Sequence, residues 1–197
     1  MDTQERTKEI SRFIILIPHR DALKGFDEFR AKLFAAGYSG AYSFPLASPL
    51  ARVSRPFSRE ELKELGRNMR NLTKEQDGKI LSCGTALAAE AGPCPCGKWS
   101  FFGPLLNLPA KEGFFPGTVK DKILHTLLPP LLCAAIVDSG ENPAGKKLIS
   151  EEIPVLSFRA ASLANLAIRP LAAGKSAYSF EWRIGPPVWL PKYNAKP

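Results

Sequence analysis

Residues 43–65 read SFPLASPLARVSRPFSREELKEL, an extended segment running into a helix, and this junction decides the fold class. Residues 41–54 carry Pro45 and Pro49, and each proline removes a ladder donor, so an edge strand or a bulged one is expected. Ser48 and Arg52 share one face at strand period, and no His, Cys, Asp or Glu joins them there. Ser58 opens the helix. With Glu61 three residues on it forms a capping box, and Leu62, Leu65, Met69 and Leu72 supply the apolar stripe.

Outward from that junction the pattern repeats. RFIILIP at 12–18 is a short apolar run ended by proline, which reads as a buried strand. It precedes DALKGFDEFRAKLFAAG, where Leu23, Phe26, Phe29, Leu33 and Phe34 recur at helical spacing and Gly37 suits the cap. Downstream, KILSCGTALAAEAG and KWSFFGPLLNLP read as two strands around a Pro-Cys-Pro-Cys-Gly turn. A third helix is expected from about Thr118 to Leu128, broken by Pro129 and Pro130, with LLCAAIV beyond it as a strand. The last unit is a hairpin of SFRAASLANLAIRPL and SAYSFEWRIGPPVWLP around AAGK. In its first arm Arg159, Asn165 and Arg169 lie opposite Phe158, Leu166 and Ile168. In its second, Tyr178, Phe180, Trp182 and Ile184 alternate with polar residues. Strands mixed with helices in this order predict an α+β chain, and two related halves side by side would produce it.

At 197 residues one domain, or two small lobes, is expected, with ample length for a core. No apolar run is long enough to span a membrane, and the charged start MDTQERTKEISR is unlike a secretory signal, so a cytoplasmic location is expected. The 27 basic and 19 acidic residues leave +8, which favours a polyanionic partner over an acidic surface function, although a solvated basic surface gives the same count. No basic run reaches five, so there is no nucleic-acid arm. The four cysteines are expected as reduced thiols. Cys94 and Cys96 are spaced C-x-C with only Cys83 and Cys133 as further partners, which argues for turn cysteines rather than a zinc site. No metal or cofactor is expected.

Reactive residues are few. His19 follows the first strand with Asp21 close by, an arrangement suited to a general base and its orienter. His125 lies four residues after Asp121 on the expected helix. There is no G-x-S-x-G elbow, phosphate loop or dinucleotide glycine pattern. Arginines on strands remain: Arg52, Arg55, Arg159, Arg169 and Arg183. Their forked guanidinium groups bind phosphate oxygens in pairs. Arg52 with Ser48 and Arg159 with Asn165 are the leading anion-binding candidates.

The order of elements, from RFIILIP and FDEFRAKLFAAG to the final strand pair, resembles the two-histidine (2H) phosphoesterases, the RNA-ligase-like cyclic phosphodiesterases. The resemblance covers most of residues 12–191. It implies an N-terminal extension over 1–11 and a single bilobal α+β domain over 12–197, two antiparallel-sheet lobes with helices packed outside a central groove. Members open cyclic or 2′-5′ phosphodiesters without a metal, using a His-x-Thr/Ser motif in each lobe. In FPLASPLARV, Ser48 takes the Thr/Ser position and Leu46 that of the histidine. In LLCAAIV, Cys133 takes the histidine position and Ala135 that of Thr/Ser. The resemblance therefore implies a catalytically degenerate protein that binds RNA ends, a nucleotide or another phosphorylated ligand in a basic groove lined by Ser48, Arg52, Arg159, Asn165 and Cys133. Two alternatives stand beside it: an active phosphodiesterase using His19 or His125, and an interaction module that docks a partner through its aromatic hairpin and proline-rich end.

Overall fold

The computed structural model describes residues 10–19, 23–36, 38–41, 44–74, 79–94, 97–108, 113–115, 117, 124–138, 157–170 and 180–190. The chain is α+β. Its strands are β1 (Ser11–Pro18), β2 (Ser48–Val53), β3 (Lys79–Cys94), β4 (Gly97–Leu106), β5 (Leu124–Leu127), β6 (Ala135–Asp138), β7 (Ser157–Pro170), β8 (Phe180–Ile184) and β9 (Val188–Trp189). Two α-helices are described, α1 (Leu23–Ala35) and α2 (Arg59–Leu72), with a 3-10 turn at Ser39–Ala41. The strand order is β5-β2-β1-β7-β3-β4-β6, with β8 and β9 also on β7, and the described pairings are antiparallel.

The two ends of this order meet. Successive amides of the segment after Pro130 alternate in direction: Leu132 donates to Pro104, Cys133 to Ala47 and Ala134 to Phe102. The segment therefore lies as a strand between β4 and the lead-in to β2, with bridges Ala47–Cys133 and Leu105–Leu131, and curls the sheet into a closed wall. Two glycines permit this approach. A Cβ on Gly103 would fall on the Leu132 carbonyl oxygen, and one on Gly40 would fall on the Ile136 carbonyl oxygen.

Pleating sends alternate side chains to the two sides of that wall. The inner face is packed by Phe13 and Ile15 of β1, Ala47, Phe101 of β4, Leu131, Cys133, and Ala164, Leu166 and Ile168 of β7. Phe13 meets Phe101 edge-on with ring centroids 5.3 Å apart. The outer face, with Ile14, Leu16, Leu50 and Phe102, is covered by Phe26, Phe29 and Leu33 of α1 and by Leu62, Leu65 and Met69 of α2. Each such side chain contributes about 1.5–3 kcal/mol by leaving water. Phe34 and Leu72, expected on the helical stripes, are instead 53% and 40% exposed. Phe34 sits one residue past buried Leu33 and rotates off the contact, whereas Leu72 keeps the stripe's direction but ends α2, one turn beyond its last buried residue, Met69.

The helix expected over 118–128 is corrected at its end. Leu124–Leu127 is strand β5, and 118–123 lie outside the described residues. Leu124, Leu127 and Leu128 have helical spacing, but pairing with β2 takes them. Of the two forms expected for the proline-bearing strand, edge or bulged, β2 takes the second, since it lies between β1 and β5. Its bulge is real: Ile14 pairs with Ala51 and Ile15 with Pro49, skipping Leu50. Proline is tolerated there because the bulge already interrupts the ladder.

α2 begins as its sequence dictates. Ser58 Oγ accepts from the Glu61 amide at 3.2 Å, and the Ser58 amide donates to Glu61 Oε2 at 2.6 Å. Arg55 donates through both terminal nitrogens to the Glu61 carboxylate at 3.0 and 2.8 Å, and this pairing, with the Ser58 hydrogen bonds, lowers the carboxyl pKa to about 2.

Two outcomes are expected. Gly103→Ala should lower the unfolding free energy by about 2–3 kcal/mol in denaturant titration, because backbone must move. Gly117→Ala, with open space around its Cβ, should stay within about 0.5 kcal/mol. Because the folded Glu61 pKa lies below its ordinary 4.5, its stabilisation is complete above about pH 5 and is lost as pH falls from there towards 2. Glu61→Gln should flatten that part of a stability–pH profile.

Candidate functional site

The sheet register decides which of the candidate residues can act together. Residues paired across an antiparallel ladder lie on the same face. Ser48 pairs with Leu16 and so lies on the outer, helix-covered side, whereas Arg52 pairs with Phe13 and lies on the inner side. The expected shared face is undone by the bulge at Leu50, since one extra residue reverses the alternation beyond it. Arg159 and Asn165 separate for the same reason. Ile17 pairs with Ser162 but Pro18 with Ala160, so β7 carries an extra residue between them.

Asn165 accepts from the Phe57 amide at 2.7 Å and donates to the Phe57 carbonyl at 2.8 Å. Its amide thus imitates a strand edge and fixes the chain that leads into α2. Ser48 is fully buried, and its hydroxyl has no hydrogen-bond partner among the described residues. Arg52 is half-buried and Arg159 exposed. Arg52 stands opposite Phe13, while the Arg159 carbonyl accepts from the His19 amide at 2.7 Å. Along β1 those positions are roughly 20 Å apart at ~3.3 Å per residue, too far to grip one phosphate.

Cys133 lies inside the wall beside Ala47 and donates its thiol to the Ala135 carbonyl at 3.2 Å. Burial outweighs the nearby Arg30 guanidinium and the backbone contacts, and the thiol pKa is pushed up to about 12. Arg30 itself is buried and donates to the Ala41 and Phe44 carbonyls, tying down the chain ahead of β2. The residues of this inner face are apolar and packed.

The histidines do not converge. His19 is exposed just past β1, beyond the Leu16–Ser48 pair, and His125 sits at a bulge of β5 between the pairs made by Arg52 and Val53. Their separation along the strands is roughly 25 Å. Asp21 and Asp121, their expected partners, lie outside the described residues, as do Cys96 and the hairpin turn. Among the described residues no group of three or more His, Cys, Asp or Glu could hold a metal ion, and no helix is long and apolar enough to cross a membrane.

One feature of the surface escaped the sequence reading. Arg59, Lys63, Arg67 and Arg70 of α2 are all exposed, and at 100° per residue they fall within an arc of about 80°. The i, i+4 spacing of the first three was the available signal. Beside this ridge Gly66 lets β9 close in, since a Cβ there would fall 2.7 Å from Leu190 Cδ2. The result is a groove of about 420 Å³ lined by Glu60, Lys63, Gly66, Arg67, Val188, Trp189 and Leu190. Val188 and Leu190 pack toward the outer core, and Trp189 is left on the rim, 72% exposed.

No family model matches the chain, no curated protein matches it, and no solved structure matches its fold.

Asn165→Ala should cost about 2 kcal/mol of stability, because it leaves both polar groups of Phe57 unpaired. Ser48→Ala should leave stability unchanged or raise it by up to about 1 kcal/mol, since an unpaired buried hydroxyl is removed. Both are measured by denaturant unfolding.

Proposed function

We propose that this chain is a 2H-phosphoesterase-like protein that has lost the family's chemistry and works by binding a phosphorylated ligand, most directly the backbone of an RNA. The observation that carries the reading is the Ala47–Cys133 bridge. It sets side by side the two segments in which the resemblance expects the His-x-Thr/Ser motifs, and they bring Leu46, Ala47 and Cys133 rather than imidazoles. Leu46 cannot move a proton. A buried thiol with a pKa of about 12 neither gives nor takes one usefully at neutral pH. Helices pack on the outer face only, and the inner face is filled by side chains, which supports a protein without an open groove there. Binding is then left to the surface, where the net charge of +8 attracts polyanions.

An active phosphodiesterase is disfavoured because His19 and His125 are too far apart to flank one phosphorus atom as acid and base. The test is hydrolysis of 2′,3′-cyclic nucleotides beside equilibrium binding of a short labelled RNA. No turnover above buffer is expected, with His19→Ala and His125→Ala unchanged. RNA binding is expected to weaken steeply as salt rises. Turnover abolished by either histidine substitution would overturn the reading, and so would an absence of RNA binding at low salt.

A further inference from the structure

The α2 ridge and the β9 groove form a second surface, distinct from the packed inner face. We propose that single-stranded nucleic acid binds there, with backbone phosphates along Arg59, Lys63 and Arg67 and a base stacked on Trp189. The proposal rests on the reading of the chain as a binder of a phosphorylated partner, and it locates that partner.

Three observations favour this occupant. Helical residues four apart rise about 6 Å, so the three cations form an evenly spaced row of the kind that tracks a nucleic-acid backbone. Sequence position sorts α2 into separate arcs. Leu62, Leu65 and Met69 are buried, the cations occupy the neighbouring arc, and Glu61 is turned away and held by Arg55. The row is bordered by Glu60 at the lip of the groove and by half-buried Glu64 on the side towards Glu61. The groove is also concave and offers one broad aromatic ring at its rim. A cationic track with an exposed aromatic ring is the usual design for sequence-tolerant single-strand binding. A bilayer would instead need several apolar side chains standing above the cations, and here Val188 and Leu190 are turned inward.

Among the described residues no side-chain hydrogen bond or ion pair engages Arg59, Lys63, Arg67 or Trp189, so binding would break none. Gly66 leaves room for the Leu190 side chain that lines the groove, since a Cβ there would displace its tip.

The experiment is fluorescence anisotropy of a labelled oligouridylate dodecamer, titrated with the full chain at several salt concentrations. The variants are Arg59→Gln/Lys63→Gln/Arg67→Gln, Trp189→Ala and Trp189→Phe, with Arg183→Gln on β8 as a surface control. Thermal melts confirm folding of each. Loss of three phosphate contacts should reduce the slope of log K against log salt by about 2. Trp189→Ala should weaken binding about tenfold with the slope unchanged, and Trp189→Phe should restore most of it. Arg183→Gln should bind as wild type. Wild-type binding with all variants equal to it would overturn the site while leaving the polyanion reading intact. Failure of the wild-type chain to bind at low salt would overturn both. Ridge-dependent binding to phosphatidylserine vesicles without RNA binding would overturn the choice of nucleic acid.

Discussion

Closure of the sheet depends on how deeply the backbone after Pro130 is set between β4 and the lead-in to β2. Three successive amides alternate between the two neighbours, and glycine at positions 40 and 103 removes the side chains that would block the approach. Once the segment is seated, Cys133 and Leu131 point inward to meet Phe13 and Phe101, and Leu132 and Ala134 point outward under the helices. A closed wall with both faces packed is the consequence.

The two bulges then distribute the polar residues. Each adds one residue to a strand and reverses the alternation, so Ser48 parts from Arg52 and Asn165 from Arg159. Asn165, brought to the outer side, clamps Phe57 and so sets the point from which α2 departs. The capping box and the Arg55–Glu61 pair carry the chain into the helix from there. Position of the helix and orientation of its cationic arc are thus linked to a strand residue more than a hundred positions later. A basic surface beside an exposed tryptophan follows from packing rather than from any local motif.

Local chemistry was legible in the sequence and long-range pairing was not. The capping box of α2, the β3–β4 pairing and the β7–β8 pairing each rest on neighbouring residues and are present as expected, although β3 and β4 run to Cys94 and Gly97, into the stretch expected as a turn. The bulge in β2 was signalled by Pro49, yet which side chains it would reverse depended on its partner β1. β5 was read as helix because its leucines fit both periods and only pairing with β2 distinguishes them. Of the candidate site, residue types are legible in the sequence but convergence is not: Arg52 and His125 lie toward one end of the strands, and His19 and Arg159 toward the other. The ridge on α2 was readable as spacing, but its meaning needed the groove that β9 makes against Gly66.

The most direct measurement is residue-resolved hydrogen exchange of the native chain, followed at the amides of Leu132, Cys133 and Ala134. With the wall closed as described, these amides exchange as slowly as those of Ile14 and Leu166 in the central strands, and all open together in the global unfolding. Exchange of the Cys133 amide at the rate of an exposed loop, while the central strands stay protected, would mean that the seam is open and the inner face accessible, and would contradict the closed, packed wall.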